Sequence, residues 1–197
     1  MNATFKPDIA IAYVLPDNLE ELAPPPSLLP GESLERYQFM RRAIFSDIAP
    51  ESAIEWLIAI DVVELSWEIE RYRLLRHKIL ERFREQAIED SLRRIDMVEI
   101  PPERQEVANL YIRQNASNWR TDPDAACEIE ARLTAHGIDQ MTINAETYVQ
   151  AQEILILFQA LLDAAQTRRV SLLREIRLLR LANTSGSAIR RQAGPWH

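Results

Sequence analysis

Glycine and cysteine are almost absent from this chain: four glycines, at 31, 137, 186 and 194, and the single Cys127 stand among 197 residues. Phosphate-cradling loops and dinucleotide fingerprints need several closely spaced glycines, so nucleotide enzymes of those types are excluded. One cysteine makes neither an internal disulfide framework nor a cysteine zinc site, and it suits a reducing compartment, which predicts a cytoplasmic location. The three histidines, at 77, 136 and 197, lack a glutamate three residues upstream, so the paired Glu-x-x-His pattern of di-iron bundles is missing. Neither a metal nor a cofactor is expected. No apolar run approaches the roughly 18 residues of a membrane helix; the longest candidate is Ile9 to Leu15, and Lys6, the one basic residue before it, is followed at once by Pro7 and Asp8, a poor signal peptide.

What is present is helical periodicity. From Ala53 to Arg94, apolar residues fall at Ile54, Ile58, Val62, Leu65, Ile69, Tyr72, Ile79 and Phe83, the spacing of one helical face interrupted at Arg76. A second row at Trp56, Ile60, Val63 and Trp67 marks the first half as buried on two sides. The second half interleaves charges around a narrow stripe. Such a helix would span roughly 60 Å and needs cover. Tyr148, Ala151, Leu155, Phe158, Leu162, Ala165, Leu172, Ile176 and Leu179 alternate steps of three and four around Arg169 in coiled-coil grammar. The expected fold is all-α, with two long helices packed antiparallel in coiled-coil style, three shorter helices and a Pro-rich N-terminal arm. The boundaries are 1–30 for the extended arm, 31–182 for the helical domain and 183–197 for a disordered tail.

The first thirty residues hold six of eleven prolines, which forbids a helix there. The reading for them is a tail with one apolar patch, Ile9 to Leu15, or an arm laid across a groove of this chain or a partner. Ser33 then opens a helix with Leu34, Tyr37, Ile44 and Ile48 on one face, and Pro50 suits the first position of the long helix. After Pro101-Pro102 a helix from Glu103 to about Asn118 carries Val107, Leu110, Tyr111 and Gln114 on its inner side. Asp122-Pro123 starts the next, and Gly137 stops it. Asn144 caps the last, which ends at Asn183 to Gly186.

Leu28-Leu-Pro-Gly-Glu-Ser-Leu-Glu-Arg-Tyr37, a proline some dozen residues on, Trp67 and Arg71 resemble the start of a family of uncharacterised bacterial all-helical proteins. His136-Gly-Ile-Asp139, Ile143-Asn-Ala-Glu146 and Arg168-Arg-Val-Ser-Leu-Leu-Arg-Glu-Ile176 are similar to that family's C-terminal part. The resemblance covers most of residues 27–180. It implies a bacterial origin and an all-helical fold, and no reaction. Glu68 departs from it where relatives often place arginine.

Chemistry-bearing candidates are few. His77 with Glu81 reads as an exposed i, i+4 pair before it reads as a metal half-site. Glu64 and Glu68 share a face, with Arg168 and Arg169 as expected ion-pair partners. Cys127 reads as a small core residue. Trp119 is either an exposed anchor or a plug at a helix junction. Net charge is −7 and uneven: −5 over residues 1–60, zero over 61–94, −8 over 95–166 and +6 over 167–197. The leading expectation is therefore a non-enzymatic interaction or assembly protein, a homodimer or binder of a partner helix, with no membrane role. Ile69, Tyr72, Ile79, Phe83, Phe158 and Trp119 are its candidate interface. The alternative is a nucleic-acid-associated factor acting through the basic end, with Arg174, Arg177, Arg190 and Arg191 solvated for a polyanion and Arg180 within the same basic run.

Overall fold

The computed structural model describes residues 25–98 and 100–192, and for 185–192 the backbone alone. The chain is all-α: α1 (Leu34–Ile48), α2 (Ala53–Asp96), a 3-10 turn (Pro102–Arg104), α3 (Gln105–Thr121), α4 (Pro123–Ala135) and α5 (Gln140–Gln192), with no strand among the described residues. The two long helices pack against each other. The chain divides into two compact units, one of residues up to Arg71 together with those from Leu162 onward, the other Tyr72–Leu161. The expected arm lies largely in residues 1–24, outside the described residues.

In the first unit, Glu55 meets Arg180 and Ser66 meets Arg169, so residue numbers rise on α2 as they fall on α5 and the pair runs antiparallel. Trp56, Ile60, Val63 and Trp67 are buried together with Ile58 and Val62, the two-sided burial that the two apolar rows demand. α1 covers them with Tyr37, Phe45 and Ile48, while α5 supplies Ile176. Edge-to-face ring pairs, Tyr37 on Trp67 at 5.6 Å and Phe45 on Trp56 at 5.1 Å, fix α1 on α2. Leu34, placed on the inner face by periodicity, is half exposed, and Phe45, outside the expected face, is buried in its stead.

α2 does not begin at Pro50. Ser52 caps it, its hydroxyl accepting from the Glu55 N–H at 3.2 Å, while the Glu55 carboxylate accepts from the Glu51 N–H at 3.0 Å, a variant of the capping box. Between the two helices, Ala49 takes a left-handed φ of 47° at the end of α1, its N–H returning to the Phe45 carbonyl at 2.8 Å.

In the second unit, Arg94 with Glu146, Asp90 with Gln150 and Tyr72 with Phe158 again give an antiparallel pair. Ala87, Ile88 and Leu92 form the core with Ile112, Ile129, Leu133 and Ile143. Asp122 caps α4 by accepting from the Asp124 N–H at 2.9 Å, with Pro123 at the first position, and Gly137 follows at φ 79°. The inner side of α3 is rotated from the expected one. Ile112 and Ala116 are buried, whereas Val107, Leu110 and Tyr111 are 54, 61 and 69% exposed. α3 carries apolar residues on both sides, and periodicity alone does not say which one its neighbours cover.

α5 is capped by Asp139 and not by Asn144: the Asp139 carboxylate accepts from the Thr142 N–H and hydroxyl, each at 2.8 Å. Those same bonds hold the Asp139 carboxyl below the usual range. Its buried seam begins at Ile143 and Thr147, leaving Tyr148 half exposed, and then follows the expected steps to Leu179. The expected stop at Asn183 to Gly186 is passed, and the helix continues to Gln192. A single glycine costs a helix only about 1 kcal/mol, too little to end one already nucleated.

Candidate interaction surfaces

Two polar joints hold the first unit and account for several of the candidate residues. At the first, Glu32 receives the Arg71 guanidinium through two bonds, Nε at 2.7 Å and Nη2 at 2.8 Å, and the Trp67 indole N–H at 3.1 Å. It also accepts from the Leu29 N–H at 2.9 Å, closing the turn in which Gly31 adopts φ 88°. Arg71 donates further to the Ser27 carbonyl. The Leu-Pro-Gly-Glu segment is thus a strap buckled onto α2, and Glu32, Trp67 and Arg71 are its buckle. The Arg71 bonds, more than the opposing desolvation, pull the Glu32 carboxyl from an ordinary 4.5 down to about 2.

That depression fixes a sign. A carboxyl lowered by folding contributes stability that is full above pH 4.5 and is lost as pH falls toward 2. Glu32→Gln is expected to lose on the order of 2 to 3 kcal/mol at neutral pH and to flatten the acid limb of a stability–pH curve, measured by denaturant unfolding. Beside the buckle, Tyr37 donates to Glu64, and burial with that carboxylate pushes the phenol up. Arg36 pairs with Glu70.

At the second joint, Arg180 of α5 donates to Glu55 (Nη2 at 2.8 Å, Nε at 3.3 Å) and to the carbonyls of Ile48 at 2.7 Å and Ala49 at 3.0 Å. One guanidinium therefore ties the end of α1, the start of α2 and α5. Glu55 is 2% exposed, and Arg180, above all other causes, lowers its carboxyl below the ordinary value. This corrects the expectation for Arg168 and Arg169. Arg168 is exposed, Arg169 reaches, among the described residues, the Ser66 hydroxyl at 3.4 Å, and Glu64 takes Tyr37 instead. Arg180, named with the basic end for the nucleic-acid alternative, is held by Glu55 and the Ile48 carbonyl.

The candidate interface residues divide. Ile69 is 2% exposed and belongs to the interior of its unit. Tyr72 and Phe158 face each other with ring centroids 6.3 Å apart, half-buried in the α2–α5 pair, and Ile79 and Phe83 are likewise half-buried. Trp119 is a plug: its indole donates to Glu130 at 3.1 Å, and Arg84 lies over the ring at 5.2 Å. Arg84 also donates to Gln140 at 2.5 Å. None of these offers a broad free face. Apolar surface is exposed elsewhere, on the α3 row of Val107, Leu110 and Tyr111 and on the back of α5, where Val149, Ile156 and Leu157 are 72, 61 and 57% exposed, flanked by Ile154 and Leu161. Stepping 100° per residue from buried Ala151, Val149 and Ile156 fall at about 160° and 140°, and Leu157 at about −120°, opposite the seam. The stripe with regular heptads is the stronger signal in the sequence, and it masks this second, shorter row.

Arg174 and Arg177 are exposed, as expected, and have no acidic partner among the described residues. Arg190 and Arg191 fall on helical backbone, and their side chains lie outside the described residues. Cys127 is exposed at the surface of α4, not in the core, and His77 with Glu81, 3.1 Å apart, is the exposed i, i+4 pair. Among the described residues no three His, Cys, Asp or Glu side chains stand together to hold a metal ion, and no helix is long and apolar enough to cross a membrane. Comparison with protein-family models, with curated proteins and with solved structures finds no match.

Proposed function

We propose that this is a non-enzymatic helical assembly protein that pairs with a second copy through the outward row of α5. The observation that carries this reading is the exposed cluster of Val149, Ile156 and Leu157, all within one unit and at helical spacing. Large apolar side chains exposed singly are ordinary, but several sharing one face of one helix make a surface that partner helices cover. The scarcity of catalytic groupings in the sequence is consistent with a binding role.

Ile156→Glu combined with Leu157→Glu places charges on this face without touching the buried seam, so folding should change by no more than about 1 kcal/mol. Light scattering is expected to give a two-chain mass for the wild type and a one-chain mass for the variant, with equal helical circular dichroism. Equal masses for the two proteins would remove the reading.

A second reading rests on Arg174 and Arg177, exposed and without an acidic partner among the described residues, at the basic end of an acidic chain. In it the protein also contacts nucleic acid. Retention on heparin at low salt, abolished in Arg174→Glu/Arg177→Glu and weakened steeply by salt, is its expected signature. A wild-type protein that passes straight through the column ends it.

A further inference from the structure

One groove of the first unit is both apolar and basic. Ile48 at the end of α1 and Leu173, Ile176 and Leu181 of α5 line an open cavity of about 340 Å³, and Arg177 stands at its edge. Leu173 and Leu181 are 41 and 57% exposed. Arg177 has no acidic partner among the described residues, and Arg174, three residues away, is also exposed. Arg180, which closes one wall, is held by Glu55. Among the described residues Asp47 is the one carboxylate lining the groove.

The same chain carries a segment of matching chemistry outside the described residues. Ile9-Ala-Ile-Ala-Tyr-Val-Leu15 is its longest apolar run, with Asp8 before it and Asp17, Glu20 and Glu21 after it. An apolar core with acidic flanks complements an apolar groove with cationic flanks. Reach is sufficient. Ser27 is held by Arg71, and the groove adjoins the Arg180 joint at Glu55; those two α2 positions are sixteen residues apart, about 24 Å along the helix. The nine residues from Pro16 to Pro24 extend to roughly 30 Å. Four of the residues between Ile9 and Pro26 are prolines, a composition suited to an extended course with little entropy to lose on docking.

We infer that this groove is the seat of the chain's own segment 9–15, held in cis by its apolar residues and steered by Arg177 and Arg174. The strap at Glu32 then sets the point from which the segment departs. This seat is separate from the outward row proposed for self-association, so either can fail without the other.

Disulfide trapping in the full-length chain tests it. In a Cys127→Ser background, Val14→Cys with Leu173→Cys should oxidise rapidly to an intramolecular bond, read as loss of free thiol without gain of chain mass. Val14→Cys with Tyr111→Cys, on the outer face of α3, should react at least tenfold more slowly. Adding Arg177→Glu should slow the first pair, and reversing Asp17, Glu20 and Glu21 to Arg should restore it. Equal rates for the two pairs, a bond formed only between two chains, or indifference to the charge reversals would overturn the proposal. Unchanged circular dichroism in each variant separates lost docking from lost folding.

Discussion

Arg180→Ala is expected to destabilise the protein by about 3 to 5 kcal/mol, whereas Arg168→Ala and Arg169→Ala should each cost less than about 1 kcal/mol. The contrast comes from what each arginine leaves behind. Removing Arg180 leaves the Glu55 carboxylate, 2% exposed beneath it, with the Glu51 N–H but no cation, and frees the carbonyls of Ile48 and Ala49 at the α1–α2 corner. An unpaired buried charge costs far more than the intact pair contributes. Arg180 holds the Glu55 carboxyl below its ordinary value, so the stability of the pair is present above that value and fades in acid. In Arg180→Ala the carboxyl should rise, and the deficit relative to wild type should therefore shrink as pH is lowered. Lysine at 180 keeps the charge but cannot serve a carboxylate and two carbonyls with one planar fork, so it should recover only part of the loss. Chemical denaturation of the variants at neutral and acid pH checks each of these outcomes.

Ile69→Asp should be at least as severe, costing about 4 kcal/mol or more. Ile69 is 2% exposed, and aspartate there loses the transfer energy of the side chain and buries a charge with no partner designed for it. Leu110→Asp is the control from the outer face of α3: the same chemistry at a site 61% exposed should leave the melting temperature nearly unchanged. A calorimetric scan of both variants separates interior from surface directly. Similar melting temperatures would mean that Ile69 is not where the packing places it.

How far the sequence reaches can be judged from particular elements. Ser33, Asp122-Pro123 and Gly137 mark helix ends through local chemistry, and each stands where that chemistry requires. The two apolar rows of α2 around Trp56 and Trp67 call for burial on two sides, and they receive it from α1 and α5. The differences arise where two local answers compete. Pro50 and Ser52 are both acceptable openings for α2; the bond from the Glu55 N–H to the Ser52 hydroxyl decides. Asn144 and Asp139 are both caps, and only Asp139 has Thr142 to satisfy. α3 has one apolar row at Val107, Leu110 and Tyr111 and another at Ile112 and Ala116, and tertiary neighbours choose the second. Arg180 cannot be told from its basic neighbours in the sequence, because Glu55 lies 125 residues away and nothing local signals the pairing. The strap is legible as a motif and not as a mechanism: Glu32 and Arg71 are 39 residues apart, joined only by the fold.

The outward row of α5 carries the functional account, and its most direct test is the mass of the wild-type protein by sedimentation velocity at micromolar concentration and physiological salt. A chain of 22.8 kDa that sediments as a two-chain species, and reverts to a single chain when Ile156 and Leu157 become glutamate, is the predicted result. A single-chain species across the whole concentration range, unchanged by those substitutions, would contradict self-assembly through this face.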